Sequence, residues 1–401
     1  MKPVARIVAV LVTLSACQKA VPAEQYGFVA MLGNDTVSAE RVSKSSRRLV
    51  SDEVDRWPLV TMRHSEFELT DDGKISQMVM DVRTPSGETP AQRGRRVTAT
   101  FTKDSVLITI TDSGGVTRRN FRTNGALTVP HVSMMYSVIE LEITSSLRHG
   151  TTFLAVADSA SFRQFYPDRD VGPSFVLHSG WVHRVSRDSV LLQHDWLSGS
   201  GDVMVDSAGR MLMYSGMRST YKVTVRRTAE LPDVTGIGTR LAAAEKKAGA
   251  SQLSVRDTAR GTIGAASLSV DYGRPLARGR TLLGNVINYD RVWRTGANAA
   301  TQFTTSAPVT LAGLSLAAGT YTLWTVPRTN GADLIVNSES GQWGTEYDGA
   351  KDRGSARLRS ESMTTPVEKF TISIVGSDAK RGTLVMEWGT FRWTAPIIVV
   401  Q

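Results

Sequence analysis

The stretch His131-Val-Ser-Met-Met-Tyr-Ser-Val-Ile-Glu-Leu-Glu-Ile-Thr-Ser-Ser-Leu147 decides the architecture of the N-terminal half of this 401-residue chain. Val132, Met135, Tyr136, Ile139 and Ile143 recur at helical spacing on one face. Met134, Val138 and Leu141 cover much of the remainder, which leaves the segment apolar nearly all round. Such a helix has to be enclosed by other elements. Its surroundings supply the enclosure. From Tyr26 to Arg227, short runs rich in Val, Ile, Thr, Phe and Met are separated by turn signals. Gly33-Asn34-Asp35, Asp71-Asp72-Gly73, Ser113-Gly114-Gly115 and Ser207-Ala208-Gly209 are the clearest of these. Runs such as 74–83 and 105–111 alternate apolar and polar residues, the period of a half-buried strand. The expectation for 26–227 is a curved antiparallel sheet wrapped around one buried helix over 131–147.

The pattern changes at 228–260. Leu231-Pro232-Asp233 and Gly236-Ile237-Gly238 precede a short helical stretch from Leu241 to Ala248 that ends at Gly249. This predicts a linker carrying one exposed helix. The glycine pair lacks the third glycine of a dinucleotide loop, Leu241 standing in its place. Over 261–401 the strand pattern resumes, with alternating segments such as 266–272, 301–306, 320–326, 367–374 and 392–400. Seven or more strands at that spacing predict a β-sandwich, jelly-roll-like in outline. The fold class expected is therefore mainly β, in two domains.

The chain opens with Lys2 and Arg6, an apolar run from Ile7 to Leu14, and the small residues Ser15 and Ala16 before Cys17. That order is a secretory signal over 1–16, too short to span a bilayer. Leu14-Ser15-Ala16-Cys17 resembles the lipobox of bacterial lipoproteins, and Cys17 is the single cysteine of the chain. The resemblance implies cleavage before Cys17, lipidation of its thiol and amine, and a tether over 17–25 into a membrane. Gln18, where enterobacterial inner-membrane retention takes Asp, points to the outer membrane facing the periplasm. The alternative is secretion to the periplasm without an anchor. With one cysteine no intrachain disulfide is possible, so stability has to come from burial. The formal charge of +9 falls to +7 when Lys2 and Arg6 leave, mild for this length. Nucleic acid is not an expected partner. The clusters Arg93, Arg95, Arg96 and Arg118, Arg119, Arg122 are expected on solvated surface.

The C-terminal block carries specific phrases. They are Asp271-Tyr-Gly-Arg-Pro275, Arg278-Gly-Arg280, Val292-Trp-Arg-Thr-Gly-Ala-Asn298, Ala318-Gly-Thr-Tyr-Thr-Leu-Trp-Thr-Val-Pro327, Asn337 and Gln342-Trp-Gly344. Together they resemble the domain of unknown function family 2911, found in secreted and envelope proteins of bacteria, over roughly 255–401. The spacing after Trp343, in Thr345-Glu346-Tyr347-Asp348, departs from that pattern. The resemblance implies a domain and a compartment and carries no activity. The N-terminal domain resembles the half-barrel lipoprotein-carrier and lipid-binding proteins of bacterial envelopes by architecture alone.

Candidate ligand-binding residues follow from side-chain chemistry. Arg274, Arg280 and Arg294 are fork-shaped donors suited to carboxylate, phosphate or sugar. Tyr272, Trp293 and Trp343 offer stacking faces, and Asn298 an amide. If they converge, they make a pocket for an anionic or carbohydrate ligand. If not, the arginines pin loops and the tryptophans fill the core. No catalytic motif emerges. His-Glu-x-x-His, paired cysteines, the nucleophile elbow and the phosphate loop are all missing, so no metal or other cofactor is expected. Asp271, Asp290, Glu346 and Asp348 are carboxylates whose spacing selects no hydrolase pair. The function expected is a lipid-anchored, non-catalytic binding protein. Its alternatives are a periplasmic carrier of lipid or another apolar ligand in the N-terminal half-barrel, and an envelope glycan hydrolase.

Overall fold

The computed structural model describes residues 23–56, 59–84, 94–149, 152–167, 176–195, 199–248 and 253–400. Cys17 and the expected signal segment lie outside them, and no helix among the described residues is long and apolar enough to cross a membrane. The protein is mainly β.

Eight strands open the first domain: β1 (Glu24–Leu32), β2 (Asp35–Lys44), β3 (Arg48–Arg56), β4 (Val60–Leu69), β5 (Ile75–Arg83), β6 (Arg95–Phe101), β7 (Ser105–Asp112) and β8 (Gly115–Arg122). Each pairs antiparallel with the next. After β9 (Thr128–Pro130) comes helix α1 (Tyr136–Leu147), then the small hairpin β10 (Arg148–His149) and β11 (Thr152–Phe153). A second meander follows: β12 (Ser159–Phe165), β13 (His178–Arg184), β14 (Ser189–His194), β15 (Ser200–Val205), β16 (Met211–Ser215) and β17 (Thr224–Thr228). Strand β17 pairs with β1, which joins the two meanders, and β9 pairs parallel with β12. One fifteen-stranded sheet results, with β8 and β9 at its ends.

The connectivity forces this sheet to curl. Laid flat, fifteen strands would span about 67 Å at roughly 4.8 Å per spacing. Yet β8 ends at Arg122 and β9 begins at Thr128, so the two edges lie within about 22 Å of each other along an extended chain. The sheet therefore wraps almost into a barrel. Val106, Ile108 and Ile110 of β7 point inward while Leu107 is exposed, the alternation that a one-sided core demands. Arg118, Arg119 and Arg122 lie on β8 itself, an edge strand whose charges oppose pairing with another chain.

Helix α1 occupies the lumen, eleven of its twelve residues being buried. It begins at Tyr136, the residues from His131 to Met135 forming its extended approach. Three carboxylates fix its orientation. Glu40 of β2 accepts from the backbone N–H groups of Tyr136 and Ser137 at 2.8 and 2.9 Å, satisfying the helix N-terminus and its dipole. Glu140 accepts from Tyr26 Oη, Met211 N and Arg227 Nη1 at 2.6–2.9 Å. Glu142 points the other way, toward β12 and β14.

The linker holds helix α2 (Val234–Ala248), which starts seven residues before the expected stretch and is not a free helix. Asp233 caps it by accepting from Gly236 N at 2.9 Å. Val234, Ile237, Leu241 and Ala242 pack on Ala39, Val54, Val60 and Met62, on the outer face of the barrel. Burying that stripe corrects the reading of an exposed helix.

The second domain has ten strands: β18 (Val255–Ile263), β19 (Ala266–Arg274), β20 (Thr301–Thr305), β21 (Val309–Leu311), β22 (Leu314–Leu316), β23 (Gly319–Arg328), β24 (Gly331–Asn337), β25 (Asp352–Arg357), β26 (Arg359–Gly376) and β27 (Arg381–Val399). Six form one sheet, in the order β18-β19-β20-β23-β24-β25, and four the other, β22-β21-β27-β26. Both sheets contribute to one apolar core centred on Phe303, Phe370, Trp388 and Trp393, so the domain is a sandwich. The segment between Gly279 and Asp290 is irregular, and its Leu282 and Ile287 join that core. The two domains touch where Asn34 N donates to Arg278 O at 3.0 Å and Arg278 Nε meets Asp35 at 3.0 Å.

Candidate functional site

The seven residues expected to bind a ligand are built into several separate places. Tyr272 is buried; its hydroxyl donates to Ile372 O and accepts from Ile372 N at 2.9 Å, stitching β19 to β26. Arg274 donates to Phe370 O at 3.1 Å and Thr371 Oγ1 at 2.8 Å and pairs with Asp257 at 2.7 Å. Trp293 is part-buried against the sandwich core, stacked on Trp388 at 6.0 Å. Arg280 donates to Ala277 O and Leu276 O at 3.0 and 2.7 Å, which shapes its own loop.

Arg294, Asn298 and Trp343 do come together. Arg294 Nη1 donates to Asn298 O at 3.1 Å, and Gly344 N donates to the same oxygen at 3.1 Å. A Cβ at position 344 would lie 2.3 Å from Arg294 Cδ, so only glycine lets the loop close on the arginine. Trp343 stands half-exposed beside it. No carboxylate among the described residues pairs with Arg294, and burial holds its guanidinium below the usual arginine range. Lys222, from the loop between β16 and β17, is brought near: burial first, then Arg280 and Arg294, pull its amine down to about 8. Lys222, Arg280 and Arg294 thus bring positive charge to the domain junction, where Asp35 and Glu368 partly offset it at Arg280.

The carboxylates considered for hydrolysis are each engaged separately. Asp271 pairs with Arg256, Asp290 with Arg328, Glu346 accepts from Trp343 N, and Asp348 caps a 3-10 turn at Ala350. None of these contacts brings two of them to face one another.

A cleft opens at the barrel seam, where the chain crosses from β8 to β9. It measures about 520 Å³ and is lined by Phe121, Arg122, Asn124, Arg163, Val176 and Leu177, with others. Phe121, Leu127 and Leu177 pack against the barrel core beneath it, while Arg122 is exposed at its rim. Arg163 Nη1 reaches Ser179 Oγ at 2.5 Å. The floor is apolar and the flank cationic. Inside the lumen, beside α1, lies a small cavity of about 10 Å³, lined by Met134, Tyr136, Tyr214 and the imidazoles of His131 and His194 among others.

Those imidazoles belong to a group that local spacing does not reveal. His131 Nδ1 lies 3.2 Å from Glu142 Oε1, and His194 Nε2 lies 4.0 Å from Glu142 Oε2. Gln164 donates to Glu142 Oε1 at 2.7 Å and accepts from His194 Nδ1 at 2.8 Å. All four residues are buried. Burial pushes the Glu142 carboxyl up to about 7, against the opposing influence of His194 and Gln164. It pulls the His194 imidazole down to about 4. The one legible signal is a pair of acids at i and i+2 in an otherwise greasy helix, since buried acids require partners.

Comparison with known proteins bears on the second domain. Residues 254–397, the C-terminal third, match the model of a family described as a protein of unknown function, DUF2911, as the quoted phrases lead one to expect. A crystal structure of a DUF1089 family protein from Pseudomonas aeruginosa is similar over 45% of this chain and 91% of its own, at 14% identity and a TM-score of 0.34. No curated protein matches.

Proposed function

We propose that this is a lipid-anchored envelope protein that binds an anionic amphiphile at the barrel seam and does not transform it. The observation carrying this reading is the cleft of about 520 Å³ with an apolar floor of Phe121 and Leu177 between Arg122 and Arg163. That volume lies within the usual range for small-molecule sites. Guanidinium groups suit a carboxylate or phosphate head, and the floor suits the first part of an acyl chain. A carrier that engulfs a whole chain finds less support, because α1 fills the lumen. The junction of Lys222, Arg280 and Arg294 supports a second reading, a wholly polar anion held between the domains.

One titration separates the two. A fluorescent lysophosphatidylglycerol, added below its micelle concentration to the Cys17→Ser chain, should bind saturably, and Arg163→Gln should weaken binding about 10-fold or more. Weakening in Arg294→Gln instead places the anion at the junction. No saturable binding, or equal binding by both variants and the parent, overturns both readings.

The anchor has its own test. In bacteria fed an alkynyl fatty acid, the intact chain should carry the label and pellet with membranes. Cys17→Ser should lose the label and become soluble. A labelled Cys17→Ser protein would refute lipidation at that position.

A further inference from the structure

We propose that His131, Glu142 and His194 form a zinc site that ties helix α1 to the barrel wall. These residues offer two imidazole nitrogens and a carboxylate, a donor set that zinc accepts with a fourth position left for water. The ligand atoms lie within 4.8 Å of one another. Donors about 2.0–2.1 Å from a tetrahedral ion stand about 3.3 Å apart. His131 Nδ1 stands 3.2 Å from the Oε1 of the Glu142 carboxylate, and the 4.0 Å between His194 Nε2 and Glu142 Oε2 needs a contraction of less than about 1 Å; the widest pair, within 4.8 Å, would close by up to about 1.5 Å.

Two further observations point to a ligand at this spot. Glu142 Oε2 is fully buried and accepts no hydrogen bond from any described residue, although a buried carboxylate oxygen ordinarily has a donor. Beside the imidazoles lies the lumen cavity of about 10 Å³, close to the room one water occupies. A cation bound by Glu142 Oε2 and the two imidazoles would satisfy the orphan oxygen, and the cavity would hold its water ligand. Gln164, bonded to both Glu142 and His194, is placed to orient them from the second layer. The three donors come from the approach to α1, from α1 itself and from the end of β14, so the ion would cross-link separate elements. All three donors are buried, and the role assigned to the ion is to hold these elements together.

The test uses the whole Cys17→Ser chain, purified without chelator, with metal measured by plasma mass spectrometry and then by titration of the stripped protein with zinc and with cobalt. One zinc per chain, the intense visible bands of tetrahedral cobalt, and a rise in Tm on adding zinc are expected. Glu142→Gln preserves shape and the hydrogen bond from Gln164; it should still fold, as judged by circular dichroism, and bind zinc at least 10-fold more weakly. His194→Ala should abolish the cobalt spectrum. If the variants fail to fold, the cobalt spectrum of the parent decides the matter, because octahedral or absent bands exclude this site. No bound metal and no effect of zinc on Tm overturn the proposal, as does full stoichiometry retained in folded Glu142→Gln and His194→Ala.

Discussion

Arg63→Met should destabilise the N-terminal barrel by about 3–5 kcal/mol at neutral pH, and by visibly less at pH 5. The reason lies in register. Glu53 and Asp55 alternate onto the inner face of β3, and Arg63 stands directly across from Glu53 on β4. Its Nη1 donates to Glu53 Oε2 at 2.8 Å and to Asp55 Oδ2 as well. All three side chains are at most 5% exposed. Two buried carboxylates therefore share one guanidinium. Burial and the neighbouring Asp55 push the Glu53 carboxyl well above its ordinary range, and Arg63 opposes them. A carboxyl raised in the folded state contributes stability that is present below its unfolded pKa and is lost as pH rises through the folded value. Methionine fills a similar volume and removes the opposing charge, so the loss should be largest where both acids would otherwise ionise. Urea unfolding of the variant and the parent at pH 5 and pH 8 gives the comparison. A loss below 1 kcal/mol at pH 8, or one that is greater at pH 5, would contradict this account. Glu53→Gln, which mimics the protonated acid, should by contrast be tolerated with a loss of no more than about 1–2 kcal/mol.

The elements legible in the sequence are those whose causes are local. Val106, Ile108 and Ile110 alternate with outward residues, and that alternation alone places them in a strand facing a core. The segment around Tyr136 and Ile139 announces a buried helix because it has no polar face to expose. Where tertiary packing competes with local preference, the reading falls short. Gly236 and Gly238 each disfavour a helix by about 1 kcal/mol, which argues for a loop at that point. The Asp233 cap and the docking of Val234 and Ile237 on the barrel outweigh them, so α2 begins earlier. The convergence of His131, Glu142 and His194 is further from view, because it depends on β14 curling past α1 once the barrel closes. For the arginines, chemistry suggests ligands while topology supplies backbone carbonyls. Arg274 and Arg280 face Phe370 O and Leu276 O, partners that no spacing rule can name in advance.

The tryptophans of the second domain show the same limit and lead to the other large effect. In sequence Trp343 and Trp388 look alike; in the fold one is half-exposed and the other 1% exposed. Trp388 stacks on Trp293 with an interplanar angle of 15°, meets Phe370 edge-on at 6.0 Å, and donates from Nε1 to Glu368 O at 3.2 Å. Truncating it to alanine removes that contact area and opens a cavity between rigid aromatic neighbours that cannot collapse inward. Trp388→Ala should therefore cost about 3–5 kcal/mol in the sandwich. For a domain of this size that corresponds to a fall in Tm of about 10 °C or more. Trp343→Ala should change stability by about 0.5 kcal/mol or less. Calorimetry also reports how far the domains depend on each other. Their contact through Asn34, Asp35 and Arg278 is small beside either core, so Trp388→Ala should lower one transition and leave the barrel transition near its original temperature. Arg63→Met should do the reverse. Equal shifts from Trp343→Ala and Trp388→Ala would mean that the stacked cluster is not what holds the sandwich together. A single transition moved by either core variant would mean instead that the junction around Arg278 couples the two domains more strongly than its few contacts imply.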